Sequence, residues 1–186
     1  GAINFENAGR ARIRGVEFDT IWVPLPELNP GLALTASGSW LDAKYRQYED
    51  GSGYDEVTGL AFSKDNGTGR DFSGKRIVRT PEFSATAGFV QTIALGQGTL
   101  ELAASYYYND GYFYLAQNSP NSFEAAHALI SGRLSYLYDP WALRVTVFGE
   151  NLGDERYNLA QFHTDFGRED TLAPPRVVGV RVNWAF

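Results

Sequence analysis

The chain has 186 residues, a net charge of −6 and no cysteine, so it is long enough for one domain with a sizeable core but has no disulfide framework and no thiolate metal site. An acidic chain without a basic run is a poor partner for nucleic acid and carries no basic helix for a membrane surface. The longest uncharged stretch, Phe83 to Leu100, has 18 residues, half of them Gly, Gln, Ser or Thr; a membrane helix needs ~20 mainly apolar residues, and barrel strands, being only half apolar, escape that test.

Gly1 to Gly9 contains no apolar signal core, so the chain is expected to begin within a processed or longer protein. Seven segments of period two follow. The first sets Val16, Phe18, Thr20 and Trp22 against Glu17 and Asp19. The second sets Leu32, Leu34, Ala36 and Trp40 against Thr35, Ser37 and Ser39, and the third sets Phe83, Ala85, Ala87 and Phe89 against Ser84, Thr86 and Gly88. The fourth sets Leu100, Leu102, Ala104, Tyr106 and Tyr108 against Glu101, Ser105 and Asn109. The fifth sets Ala128, Ile130, Leu134 and Tyr136 against His127, Ser131, Arg133 and Ser135, and the sixth sets Trp141, Leu143, Val145 and Val147 against Arg144, Thr146 and Glu150. The seventh is Val178, Val180, Val182, Trp184 and Phe186 against Arg181 and Asn183; Ile21, Val90, Leu129 and Phe148 break the polar parity.

Glu17, Asp19, Glu101, Arg133, Arg144 and Arg181 all lie opposite an apolar row. In a soluble sandwich they would face water, in a barrel a wet lumen, and alternation alone does not separate the two. The connections do more. Short ones (Pro24 to Pro30, a Gly turn ending at Gly98, Asp139-Pro140) alternate with long ones (Arg46 to Arg79, Asp110 to Ala125, Asn151 to Pro174). An up-and-down outer-membrane barrel produces that alternation, and a Greek-key sandwich has no reason to. Aromatics fall near both strand ends, with Trp22, Phe89, Tyr136, Trp141, Trp184 and Phe186 toward the short turns and Trp40, Tyr45, Tyr106 and Tyr108 toward the long loops, as two girdles would. Bacterial single-chain barrels have even strand counts, and an open edge in lipid leaves costly unpaired backbone groups, so further strands are expected upstream of Gly1.

Several stretches resemble TonB-dependent outer-membrane receptors. They are Asn7 to Glu17; Gly31 to Tyr45; Gly74 to Arg79 with Thr80-Pro81-Glu82; Gly149-Glu150-Asn151-Leu152-Gly153-Asp154-Glu155-Arg156-Tyr157; and Pro174-Pro175-Arg176 with the strand to Phe186. The resemblance covers nearly the whole chain. It implies an all-β, antiparallel up-and-down transmembrane barrel of 22 strands, of which residues 1–186 would be about the last seven, without the plug domain or the TonB box. It also implies a multi-pass location in the outer membrane of a Gram-negative bacterium. The implied partners are the lipid bilayer, the barrel-assembly machinery, the TonB complex through the missing N-terminal part, and a small ligand. Val178, Val180, Val182, Trp184 and Phe186 would form the C-terminal signal read by that assembly machinery.

Candidate chemistry is sparse. His163 lies near Asp165, Glu169 and Asp170 but lacks paired-histidine spacing, and Lys64 to Gly69 lacks the spacing and closing Glu of a calcium loop, so no metal or cofactor is expected. His127 and Ser131 are four apart on one strand, roughly 13 Å, too far for a nucleophile and its base. The ligand candidates are Tyr112, Tyr114, Tyr157, Gln161, Phe162, His163 and Asp165, aromatic and hydrogen-bonding residues in long loops. The expected function is TonB-dependent uptake of a scarce nutrient, such as a siderophore-bound iron, with Glu17, Asp19, Glu101, Arg133, Arg144 and Arg181 facing the lumen. An independent small outer-membrane barrel or enzyme, with Gly1 to Arg10 as an eighth strand, and a soluble β-sandwich binding module are the alternatives.

Overall fold

The computed structural model describes residues 9–164 and 166–185. Seven long strands form one antiparallel sheet in chain order: β1 (Arg10–Trp22), β2 (Leu32–Gln47), β3 (Phe83–Leu95), β4 (Gly98–Asn109), β5 (His127–Tyr138), β6 (Leu143–Glu150) and β7 (Val177–Trp184). Each strand pairs only with its neighbours in sequence, and β1 and β7 stand at the two open edges. The topology is therefore up-and-down, and the sheet is not closed.

Register carries the apolar parity unbroken across all seven strands. Val16 lies opposite Trp40, Trp40 opposite Phe83, Gln91 opposite Leu102, Leu102 opposite Leu134, Leu134 opposite Val147 and Val147 opposite Val180. Directly paired residues share a face, so these side chains form one continuous surface. It is bare: Val16 is 67 % exposed and Val180 66 %. No second sheet lies over it among the described residues, so the two-layer sandwich is not formed.

Glu17, Asp19, Glu101, Arg133, Arg144 and Arg181 occupy the opposite face. There Arg133 donates to Glu101 across β4 and β5 at 3.0 Å, the buried Ser135 and Thr146 hydroxyls share a hydrogen bond of 2.8 Å, and Arg181 lies over the Phe148 ring at 5.3 Å. Phe148 thus has a local reason to break the polar parity.

The β3–β4 connection is a two-residue turn with Gly96 at φ +60°, the left-handed geometry that matches the twist of a hairpin. A short 3-10 turn, Asp139–Trp141, joins β5 to β6, and residues 23–31 join β1 to β2. All three lie at one end of the sheet. The three long connections at the other end, residues 48–82, 110–126 and 151–176, are structured rather than open loops. Each carries its own antiparallel ladder: Gly53–Tyr54 with Ala61–Phe62, Tyr112–Phe113 with Phe123–Glu124, and Asn158–Thr164 with Gly167–Leu172.

The buried apolar residues gather at that end, apart from Ala103 in the middle of β4. Tyr45, Phe62, Phe72 and Tyr114 are all buried. Tyr45 thereby departs from the girdle expected of it. Its parity in β2 is that of the polar face, where Tyr48 and then Phe72 stack edge-on in series at 5.1 and 5.2 Å. Phe186, expected in the terminal apolar row, lies outside the described residues, as do residues 1–8 of the suggested eighth strand, Gly1 to Arg10, whose last residue is the first of β1.

Candidate functional site

The three long loops lock together over the end of the sheet. In the first, Asp55 closes the hairpin. Its Oδ1 accepts from the Val57 and Thr58 backbone N–H groups at 3.1 and 3.0 Å and from the Thr58 hydroxyl, and its Oδ2 accepts from Arg70 at 2.7 Å. The Arg70 guanidinium, with the Thr58 donors behind it, holds the Asp55 carboxyl well below the usual carboxylate range. The same guanidinium lies 4.2 Å above the Phe62 ring.

The second loop is stitched to the first through Asn118. The Arg76 backbone N–H donates to Asn118 Oδ1 at 2.6 Å, and Asn118 Nδ2 donates back to the Arg76 carbonyl at 3.0 Å. Phe113 and Phe123 pack at 5.0 Å within the second loop, and Tyr112 meets Tyr114 at 5.2 Å. Tyr114, 7 % exposed, donates its hydroxyl to the Asn158 carbonyl of the third loop. Burial, and then the hydrogen bond with Tyr112, push that phenol far above its ordinary range, so it remains a donor.

The third loop is anchored on the second loop and on the sheet. Asn158 Nδ2 donates to the buried Glu124 at 3.0 Å, Arg168 Nη1 donates to the Asn121 carbonyl at 2.7 Å, and Tyr157 lies flat against His127. His127 is itself held by Asn109, which is 1 % exposed. Asn109 Oδ1 accepts from the Gly111 N–H at 2.9 Å, which orients the amide so that Nδ2 faces the His127 Nε2 at 3.1 Å.

Against this well-bonded frame, a few buried polar atoms have no hydrogen-bond partner: both side-chain heteroatoms of Gln161, Nε2 of His163, Oε1 of Glu56 and Oδ1 of Asp110. Native structures leave few such groups, and each one needs an explanation. His163 and Glu56 line a cleft of about 280 Å³ between the first and third loops, together with Tyr54, Asn121 and Arg168. Arg168 forms a tight ion pair with Asp170 at 2.6 Å.

The predicted ligand residues therefore divide. Tyr112, Tyr114 and Tyr157 meet other side chains and brace the loops. Gln161 and His163 hold unsatisfied polar atoms, and Phe162 between them is 58 % exposed. Asp165 lies outside the described residues. Sequence reading missed Glu56, Asn109, Asn118, Asn158 and Arg168. Of these only Asn109 carried a signal, as a polar residue on the inward parity at a strand end. Among the described residues, no three His, Asp or Glu side chains converge to hold a metal ion.

Comparison with known proteins gives the arrangement its place. No characterised protein matches at the level of sequence. Among solved structures, the chain is similar to the ferric yersiniabactin uptake receptor FyuA from Yersinia pestis, with 18 % identity and a TM-score of 0.72, covering 95 % of this chain and 24 % of that one. It is also similar to the siderophore receptor PiuA from Acinetobacter baumannii, with 17 % identity and a TM-score of 0.67, covering 92 % and 21 %. A third is BauA, the ferric preacinetobactin receptor from Acinetobacter baumannii, with 20 % identity and a TM-score of 0.64, covering 94 % and 22 %. The chain thus spans less than a quarter of the length of these relatives, and at such identities the likeness is one of fold. The sequence itself matches the family described as "TonB dependent receptor-like, beta-barrel" over residues 2–152. Members of that family are outer-membrane transport receptors of Gram-negative bacteria that work with the TonB complex and bind small ligands, not enzymes. By this match over most of its length, the chain belongs to the TonB-dependent receptor β-barrel family.

Proposed function

We propose that this chain is a wall segment of a larger, 22-stranded outer-membrane receptor that takes up a scarce, small nutrient, such as a siderophore-bound iron, with energy from the TonB complex. The observation that carries this reading is the division of labour at the loop end. Three loops are fastened to each other by side-chain hydrogen bonds, to backbone at Asn118–Arg76 and Arg168–Asn121 and to a side chain at Asn158–Glu124, while Gln161, His163 and Glu56 keep buried polar atoms unmatched. A preformed frame with a few unsatisfied donors and acceptors suits a ligand that supplies the missing bonds. The relatives named above, each described as a receptor for a siderophore or its iron complex, favour the same ligand class.

The exposed apolar row faces lipid in this reading. Glu17, Asp19, Glu101, Arg133, Arg144 and Arg181 face the lumen, where they pair with one another or with a plug. The row Val178, Val180, Val182, Trp184 and Phe186 serves recognition by the barrel-assembly machinery.

The test is uptake by cells expressing the full-length receptor, given radiolabelled iron as hydroxamate, catecholate and citrate complexes. Accumulation of at least one complex that requires TonB, and that falls when Gln161 and His163 are replaced by Leu and Phe, is the expected result. TonB-independent accumulation of all three, or none, would overturn the reading.

A further inference from the structure

The apolar face of the sheet ends in cations. The β1–β2 register places Val16 opposite Trp40, then Arg14 opposite Asp42, then Arg12 opposite Lys44, all on the same face. Paired residues lie ~5 Å apart, and successive pairs on one face ~7 Å further along the strand, so the surface changes from Val and Trp to charge within a single step. The Asp42 carboxylate is shared: Arg12 Nη2 reaches its Oδ2 at 3.3 Å and Lys44 Nζ its Oδ1 at 2.8 Å. Three cations thus stand against one carboxylate. Arg14 is exposed and has no ion-pair partner among the described residues, and Arg12 Nε has no hydrogen-bond partner. On the opposite face at this height β2 is covered, with Ala43 and Tyr45 buried under the first loop, while Ile13 of β1 is 62 % exposed. These cations therefore serve the outer surface, not the loop cleft.

Resting on the reading of this face as lipid-facing, we propose that Arg12, Arg14 and Lys44 bind the phosphate of a phosphorylated glycolipid in the outer leaflet. Two guanidinium groups and an ammonium within one strand pair can surround a phosphate, and Arg in particular offers paired N–H donors to its oxygens. What favours a lipid over a free anion is continuity. Directly beneath the cations run Trp40, Val16 and Phe18, each more than half exposed, on which acyl chains can lie. An aromatic ring followed outward by cations is the order in which a bilayer interface presents acyl boundary and headgroup phosphate.

The test uses the full-length receptor in non-ionic detergent, incubated with diphosphorylated lipid A or with its dephosphorylated form, and lipid retention is read by native mass spectrometry. Wild type is expected to retain the diphosphorylated lipid, with the R12Q/R14Q/K44Q variant retaining it roughly tenfold less. Inorganic phosphate at millimolar concentration should not compete. Equal retention by the variant, equal retention of the dephosphorylated lipid, or displacement by inorganic phosphate would overturn the proposal. Heat-modifiable migration of the same samples reports separately on the barrel. A heat-modifiable barrel that fails the lipid test sinks this inference alone, and loss of heat-modifiability in wild type sinks the membrane reading with it.

Discussion

The Tyr157 ring lies flat on the imidazole of His127, 4.4 Å between centroids and 19° between planes, and so ties the root of the third long loop to the first residue of β5. The imidazole beneath is fixed. Its Nδ1 faces the Ala125 carbonyl at 3.1 Å, which can only accept, so Nδ1 carries the ring proton and Nε2 accepts from Asn109. An aromatic contact of this kind contributes about 0.5–1.5 kcal/mol beyond the area it buries. Tyr157→Ala in the full-length receptor should therefore speed amide hydrogen exchange across residues 158–172 by up to about tenfold, while Tyr157→Phe leaves it unchanged. Identical exchange in wild type and Tyr157→Ala would show that the stack does not hold the loop.

Asn109 and Glu101 lie on the same face of β4 and should differ sharply in what their loss costs. Removing the Asn109 side chain leaves the Gly111 N–H and His127 Nε2 without their bonds at a buried position, a loss of about 1–3 kcal/mol. The Glu101–Arg133 pair is half-exposed on the Arg side, and such pairs contribute about 0–1 kcal/mol. Urea unfolding of the receptor in detergent should place Asn109→Leu well below Glu101→Gln. Equal midpoints would refute the distinction.

Asp55 makes the first loop sensitive to acid in a defined direction. Its carboxyl is held below the ordinary value of 3.8, first by Arg70 and then by the Thr58 donors. A group depressed on folding stabilises the folded form above its unfolded value, and that contribution fades as the pH falls through the folded value. The loop should accordingly stay closed at pH 4 and open only at lower pH. Pepsin cleavage between residues 55 and 60 reads this directly: wild type resists at pH 4, and Asp55→Asn is cut there. Resistance of Asp55→Asn at pH 4 would show that the hairpin does not depend on the charge.

The features legible from sequence were those set by local periodicity. Seven alternating runs and six connections of alternating length map onto seven strands and six connections because parity and loop length are properties of short stretches. Two things were hidden. The start of β1 was obscured because Arg10, Arg12 and Arg14 continue the parity of Val16, so charge replaces the apolar signal while the strand runs on. The loop ladders were hidden because two-residue strands such as Gly53–Tyr54 have no period to detect, and the bonds that fix them cross from loop to loop, as Asn118 to Arg76 does. Tyr45 shows the converse: its parity was readable, but burial under Tyr48 and Phe72 arises only once the first loop folds back.

The two faces of the sheet should respond oppositely to one added charge. Val180 lies in the apolar row, opposite Val147 and 66 % exposed. If that row meets hydrocarbon, Val180→Arg carries a guanidinium into it, at about 2–4 kcal/mol near the midplane of a bilayer. Ser37 lies on the other face, directly opposite Asp19. Ser37→Arg there gains a partner carboxylate in a wet environment and should cost less than ~0.5 kcal/mol. Full-length receptor carrying each change, refolded from urea into phosphatidylcholine vesicles, separates the cases. Val180→Arg should lower the yield of heat-modifiable barrel, and Ser37→Arg should not. In a protein whose apolar face met water, Val180→Arg would be neutral, because an exposed valine has no burial to lose. Loss of refolding with Ser37→Arg alone would mean that the two faces had been assigned the wrong way round.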